Sequence, residues 1–308
     1  MDWRNEQILI TGATGMVGHA LQQELFKQGC NNVIALGSLH GDLKDFCKVK
    51  SLFNMIKPKY VFHLAAKVYG IMGNAKYKAD SLFDNVMINT NVIEASRLYG
   101  VDKIVAMGSG CVYPEINGGK DLREEWIWQG EPHASENSYA HAKRLMLAQL
   151  QANKEQYDMN YAFAISGNLY GEHDKFEGDN GHIIPALISK FYHAKAHKMK
   201  AIIWGSGIAI RDFSYSADTA RALTLLMDKA EGPINTGSGF IHPIKDIVGI
   251  LQDITGVSIL WDGSKPDGQL ERYYNLDKLK NLGFEPQVDL NTGLRKVYSW
   301  YVENAKSE

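Results

Sequence analysis

The sequence predicts an α/β protein built on a doubly wound parallel sheet, followed by a smaller mixed α/β lobe. Three observations carry this. Short apolar runs alternate with longer periodic stretches through the first half, a glycine-spaced turn joins the first run to the first stretch, and the alternation loosens after about Ser166. Repeated strand-then-helix order implies parallel neighbours, because parallel strands need crossover connections.

In chain order, residues 7–11, 32–36, 60–65, 103–107 and 161–166 read as buried strands, short and rich in Ile, Val, Leu and Phe. Residues 16–27, 43–56, 81–98 and 138–156 between them are long and periodic enough for helices. Gly29 and Gly100 stop the first and third of these. Residues 172–181 are polar and read as a mobile loop. Helices are then expected at 182–196, 243–255 and 290–303, with a strand at 201–204. Residues 1–168 are expected to form the first lobe, joined by a return segment near 212–238 through Ile234-Asn235-Thr236-Gly237. Residues 169–308 supply the second.

Composition narrows the class. The 308 residues are 45% hydrophobic and 22% charged, with a net charge of −2, ordinary for a globular protein. Nothing there calls for a nucleic-acid or membrane partner, although a local basic pocket for a phosphorylated substrate fits. The N-terminal segment lacks the apolar core of a signal peptide, and no run is apolar for long enough to span a bilayer. Cys30, Cys47 and Cys111 are too scattered for a disulfide framework or a metal site. A reducing, cytoplasmic setting is expected.

The first candidate site is the turn Thr11-Gly12-Ala13-Thr14-Gly15-Met16-Val17-Gly18, lying directly after a strand and before a helix. Glycine there lets backbone approach a pyrophosphate, and the helix N-terminus meets its charge with free N–H groups. Gly12, Thr14, Gly15, Met16 and Val17 are therefore candidate dinucleotide contacts. After the second strand comes Leu36-Gly37-Ser38-Leu39-His40, with no acid until Asp42. A carboxylate at that strand end would repel a 2′-phosphate, so NADP is favoured, with Ser38 and His40 near the phosphate and the usual arginine missing.

The second candidate site is chemical. Tyr139 and Lys143 lie one helical turn apart, and a nearby ammonium is expected to lower the tyrosine pKa toward working range. Ser109 lies where the fourth strand runs out, and ligands of open α/β sheets bind beyond the carboxyl ends of strands. Its hydroxyl can meet a substrate carbonyl beside Tyr139.

These segments resemble the extended short-chain dehydrogenase/reductases, with a Rossmann-like cofactor domain, and within them the GDP-L-fucose synthase family of GDP-4-keto-6-deoxy-mannose 3,5-epimerase/4-reductases. The likeness is carried by His63-Leu64-Ala65-Ala66-Lys67-Val68, Gly108-Ser109-Gly110-Cys111-Val112-Tyr113-Pro114, Asn168-Leu169-Tyr170-Gly171-Glu172-His173-Asp174, Gly181-His182-Ile183-Ile184-Pro185, Trp204-Gly205-Ser206-Gly207 and Ser264-Lys265-Pro266-Asp267-Gly268. The resemblance implies that Cys111 is the epimerisation base and His182 the acid on the opposite sugar face. It implies cofactor contacts at Asp42, Leu43, Leu64, Ala65, Ala66, Lys143, Asn168 and His182. For the nucleotide sugar it implies Lys190, Trp204, Arg211 and Asp267, with Arg211 on the diphosphate and Asp267 accepting from the guanine edge. The implied reaction is epimerisation at C3 and C5 of a GDP-bound 4-keto sugar, then reduction at C4 by NADPH. The implied assembly is a homodimer through helices 81–98 and 138–156.

Two departures stand out. The family's Ser-Ser-Cys or Ser-Thr-Cys is here Ser109-Gly110-Cys111, and its Pro-Thr-Asn is here Ser166-Gly167-Asn168. Both are expected to enlarge the pocket for a bulkier sugar such as a heptose, or to change its choice among epimers. A 4-keto-sugar reductase that does not epimerise is the alternative reading. A nucleotide-binding scaffold with a degenerate site is a further one, opposed by the intact Ser109, Tyr139 and Lys143.

Overall fold

Residues 2–69, 73, 76–176, 182–265 and 267–305 are described by the computed structural model. Strands β1 (Ile8–Thr11), β2 (Val33–Leu36), β3 (Tyr60–His63), β4 (Lys103–Met107) and β5 (Asn160–Ser166) alternate with helices α1 (Met16–Lys27), α2 (Phe46–Ile56), α3 (Lys78–Leu98) and α4 (Asn137–Tyr157). β1 is buried along its whole length, and β3, β4 and β5 in all but their first residue, whereas the edge strand β2 buries only Leu36.

Helix ends follow capping chemistry. α2 begins at Phe46 rather than 43, because the Asp45 carboxylate accepts from the Cys47 and Lys48 amides at 2.9 and 3.3 Å. β3 stops at His63, two residues short of the expectation, where the chain leaves the ladder to meet the β1–α1 turn.

The second half continues with β6 (Asn168–Tyr170), α5 (Ile183–Ala196), β7 (Ala201–Trp204), β8 (Ile210–Tyr215), α6 (Ser216–Lys229), β9 (Gly232–Thr236), β10 (Ile241–Pro243), α7 (Ile244–Thr255), β11 (Ile259–Asp262), β12 (Glu271–Arg272), α8 (Asp277–Asn281) and α9 (Leu290–Ala305). Of the loop expected at 172–181, residues 177–181 lie outside the described residues.

The main sheet runs β2-β1-β3-β4-β5-β9, parallel throughout. Its order reverses between β1 and β3, which opens a crevice at the carboxyl ends of those strands. α1 and α6 pack together, and their Leu21, Leu25, Leu223 and Leu226 join the apolar core that includes Ile10 and Phe62. α3 and α4 pack together, and Val92, Ile93, Met146 and Leu150 join the core that includes Leu9 and Val61. A third core gathers α5, α7 and α9 around Ile188, Leu251 and Val297. Beside it, β8 pairs with β10, β12 and β6, while β7 pairs with β11. No helix among the described residues is long and apolar enough to cross a membrane.

Polar residues stitch the sheet to its loops. Asn85 receives the Lys67 amide and donates to the Lys67 carbonyl, both at 2.9 Å, while Asn91 donates to the Leu43 and Lys44 carbonyls at 2.9 Å. Asn235, 0% exposed on β9, donates to the Leu122 and Asn275 carbonyls and accepts from the Tyr113 hydroxyl at 2.5 Å. Its backbone amide donates to Glu124 at 2.8 Å. Replacing Asn235 by Ala removes three hydrogen bonds and leaves the buried Tyr113 hydroxyl without its acceptor, each bond contributing about 0.5–1.5 kcal/mol. Urea denaturation of Asn235→Ala is expected to show a loss of roughly 3 kcal/mol or more.

Candidate active site

At the crevice, Gly12 has φ +74°, and a β-carbon there would lie 2.7 Å from the Ala65 amide nitrogen and 2.8 Å from the Leu64 carbonyl carbon. Only glycine lets the β1–α1 turn lie against the segment after β3. Gly15 caps α1 in an extended conformation with no side-chain bond, and the first turn holds no acid. The amides of Met16, Val17 and Gly18 thus have no acceptor within the helix, which makes an anion-binding end. Thr14 leans against Gly37, where a β-carbon would meet its Cγ2 at 2.4 Å.

Beyond β2, Ser38 and His40 are exposed. His40 Nδ1 lies 3.0 Å from the Gly37 amide nitrogen and 3.3 Å from the Gly37 carbonyl, which holds the exposed imidazole at the end of β2. Asp42 accepts from the Lys44 amide at 3.0 Å. Under the crevice, His63 Nε2 meets Asn89 Oδ1 at 3.0 Å, and its Nδ1 accepts from Thr11 Oγ1 at 2.7 Å. Burial, with Lys143 assisting, pushes this imidazole down to about 3, so it stays neutral.

The chemical groups converge at the end of β4. Ser109 caps a short turn over Gly110–Val112, its Oγ accepting from the Cys111 amide at 3.4 Å. Lys143, 1% exposed, donates from Nζ to the Met107 carbonyl at 2.7 Å and lies 5.6 Å from the Tyr139 ring centre. Burial pulls this ammonium down to about 8.

The expectation that Lys143 lowers the Tyr139 pKa does not hold here. Burial raises the phenol well above its ordinary value, with Cys111 and Glu136 adding to it, and the lysine spends its bond on Met107 instead. Cys111 is likewise pushed up to about 12 by burial and Glu136, against the pull of Ser109, Arg272 and Lys143. Both groups therefore carry their protons. Tyr139 is set to donate one, and Cys111 is a thiol.

Sequence reasoning missed three neighbours. Arg272 Nη1 donates to Glu136 Oε2 at 2.8 Å across 136 positions of chain, and its Nε donates to Gln269 at 2.8 Å. Tyr274 packs its ring 5.9 Å from that of Tyr113. No local pattern marks these residues, because their partners come from distant segments. The expected pocket enlargement at Gly110 and Gly167 is also corrected, since the Tyr274 ring occupies that space.

On the second lobe, His182 is exposed at the N-terminus of α5, its Nδ1 3.9 Å from Asp174 Oδ1. Among the described residues, no hydrogen bond or ion pair joins His182 to Ser109, Cys111, Tyr139 or Lys143. Lys190 and Lys265 place their Nζ atoms 4.4 and 5.5 Å from the centre of the Trp204 ring, which is 46% exposed. Arg211 donates to the carbonyls of Ile210, Gln269 and Leu270, and burial with Arg272 nearby pulls it down to about 10. Asp267 accepts from the Ser206 amide and hydroxyl at 2.6 and 2.8 Å, so its carboxylate holds the Gly205–Gly207 turn. Asn168 Nδ2 faces the Asp212 carbonyl at 3.5 Å.

The arrangement offers an anion-binding turn at one end and a proton-donating phenol over a buried ammonium at the other. Residues 8–237 match the NAD dependent epimerase/dehydratase family. A GDP-L-fucose synthase of Sinorhizobium fredii is 35% identical over 304 residues, covering 97% of this chain and 96% of its own. A GDP-L-fucose synthetase of Naegleria fowleri bound to NADP superposes with a TM-score of 0.92 at 30% identity, covering 99% of this chain and 95% of that one. A GDP-6-OMe-4-keto-L-xylo-heptose reductase of Campylobacter jejuni gives 0.91 at 29% identity, covering 98% and 99%. The fold, the glycine turn and these likenesses agree: the chain belongs to the NAD dependent epimerase/dehydratase family, among relatives of the GDP-L-fucose synthases.

Proposed function

We propose that this chain is an NADPH-dependent epimerase-reductase of a GDP-bound 4-keto sugar. The observation that carries the reading is the assembly of Ser109, Cys111, Tyr139 and Lys143 at one strand end, with Lys143 tied to Met107 O. The glycine cradle at Gly12, the acid-free helix end and the exposed Ser38 and His40 beyond β2 fit a dinucleotide with a 2′-phosphate. When bound, the cofactor supplies the hydride. Residues 1–168 with the 212–238 segment hold it in this reading, with Leu64, Ala65, Ala66 and Asn168 around it. Residues 169–308 hold the nucleotide sugar, with Lys190, Trp204 and Arg211 toward its diphosphate and base.

Within this scheme Tyr139 gives its proton to the C4 oxygen, while the Lys143 ammonium offsets the negative charge that develops there. Ser109 orients the carbonyl. Cys111 and His182 exchange protons at C3 and C5 from the two faces of the ring. The charges of Arg272 and Lys143 oppose the burial that keeps the thiol protonated, so they favour its turn as base. A reductase without epimerisation is favoured by one observation, the thiol pushed up to about 12. We also place the protein in the cytoplasm, in keeping with three free cysteines. We assign it as a homodimer through α3 and α4, which expose Leu82, Phe83, Leu98 and Leu145.

Incubation with NADPH and a panel of GDP-4-keto hexoses and heptoses, with products identified by NMR, tests the reading. Inverted C3 or C5 centres with a reduced C4 are expected, and reduction alone establishes the second reading. In Cys111→Ser, solvent-deuterium uptake at the epimerised carbons is expected to fall at least ~100-fold with some ketone reduction kept; unchanged uptake removes Cys111 from the scheme. The kcat/KM for NADPH, which reports the free enzyme, is expected to decline as pH rises through about 8, where Lys143 loses its proton. Light scattering is expected to give twice the chain mass, and Phe83→Lys with Leu145→Lys to halve it.

A further inference from the structure

Gly110 and Gly167 face one side chain. A β-carbon on Gly110 would lie 1.8 Å from the Tyr274 hydroxyl and 2.6 Å from its Cζ, and one on Gly167 would lie 2.7 Å from its Cε2. Contacts below 3 Å between such atoms are not sustained, so any side chain at either position must displace the ring. The ring has little room to withdraw. Tyr274 is 6% exposed, and the backbone on both sides of it is fixed. Tyr273 N donates to Gly119 O at 3.0 Å, Leu122 N donates to Tyr273 O at 3.1 Å, and Asn275 N donates to Leu122 O at 2.9 Å.

The phenol thus lies beyond the carboxyl ends of β4 and β5, against the turn that carries Ser109 and Cys111. Burial keeps it protonated. Among the described residues its hydroxyl has no hydrogen-bond partner, yet it is not one of the interior polar atoms sealed from solvent. A hydroxyl held in this way, open and unpaired beside the reacting groups, is a donor awaiting a ligand oxygen.

We propose that the Tyr274 hydroxyl is a specificity-determining contact that donates to an oxygen of the sugar ring, and that Gly110 and Gly167 are the clearance that admits it. The two glycines and the tyrosine then form one unit. The sugar is recognised by a hydroxyl delivered from the second lobe, in place of one on the β4 turn. This rests on the proposed function only in taking a nucleotide sugar as the ligand.

The test is calorimetry with GDP-mannose, a stable GDP-hexose, and with GDP alone. Tyr274→Phe keeps the ring and the packing, and is expected to weaken GDP-mannose about fivefold while leaving GDP unchanged. Equal GDP-mannose affinity in the two proteins overturns the proposal, as does wild-type protein that binds GDP-mannose no more tightly than GDP. Failure of every 4-keto sugar to turn over would sink the proposed reaction, yet the affinity shift would still decide the role of Tyr274. Gly110→Ser provides the second arm. It is expected to lower the melting temperature in the Tyr274 background and to cost much less with Tyr274→Leu; equal losses in both backgrounds overturn the linkage of the three residues.

Discussion

The bond from Lys143 Nζ to the Met107 carbonyl is the constraint on which the site depends. An ammonium taken out of water needs an oxygen, and the last residue of β4 presents one. The bond fixes how far α4 can slide along the sheet. Tyr139, one turn earlier on α4, is thereby fixed relative to the turn that carries Ser109 and Cys111. The same burial that makes the bond necessary pulls the lysine down to about 8, so structural anchoring and chemical tuning come from one cause.

A half-buried ion pair ties α4 to a distant segment. Arg272 reaches Glu136, the residue just before α4, at 2.8 Å. Helix α4 is therefore held at the strand end by Met107 and at its own start by the segment that also carries Tyr274. Arg211 is committed differently, its guanidinium turned onto the backbone carbonyls of Ile210, Gln269 and Leu270.

Much of the first half was legible in the sequence, because doubly buried parallel strands read as unbroken apolar runs and their helices as long periodic ones. β4, α1 and β7 fall at the expected residues, and the start of α2 moved only because Asp45 caps it. α6 was not read, although Ala220, Leu223, Leu226 and Met227 give it a helical period; the β-leaning Phe213-Ser214-Tyr215 runs straight into it. In the site, the residues carried by local motifs could be named from sequence. Glu136, Arg272 and Tyr274 could not, since each acquires meaning only through a partner far along the chain. The tyrosine pKa was misjudged for a related reason: spacing shows a neighbour, but not how deeply both are buried.

The place of β9 bears on how the molecule is made. The sheet's last strand is not emitted until after two whole elements of the second lobe's sheet, β6 and β8, and it carries Asn235, the residue that ties Tyr113, Leu122 and Asn275 together. A nascent chain that has passed Ser166 therefore holds β5 with a bare hydrogen-bonding edge and an apolar run, Tyr161-Ala162-Phe163-Ala164-Ile165, open to any passing strand. The sheet of β1–β5 cannot be closed without β9. Synthesis must carry the exposed edge until Gly232–Thr236 is made, which makes the first sheet and the segment between β5 and β9 a single folding problem.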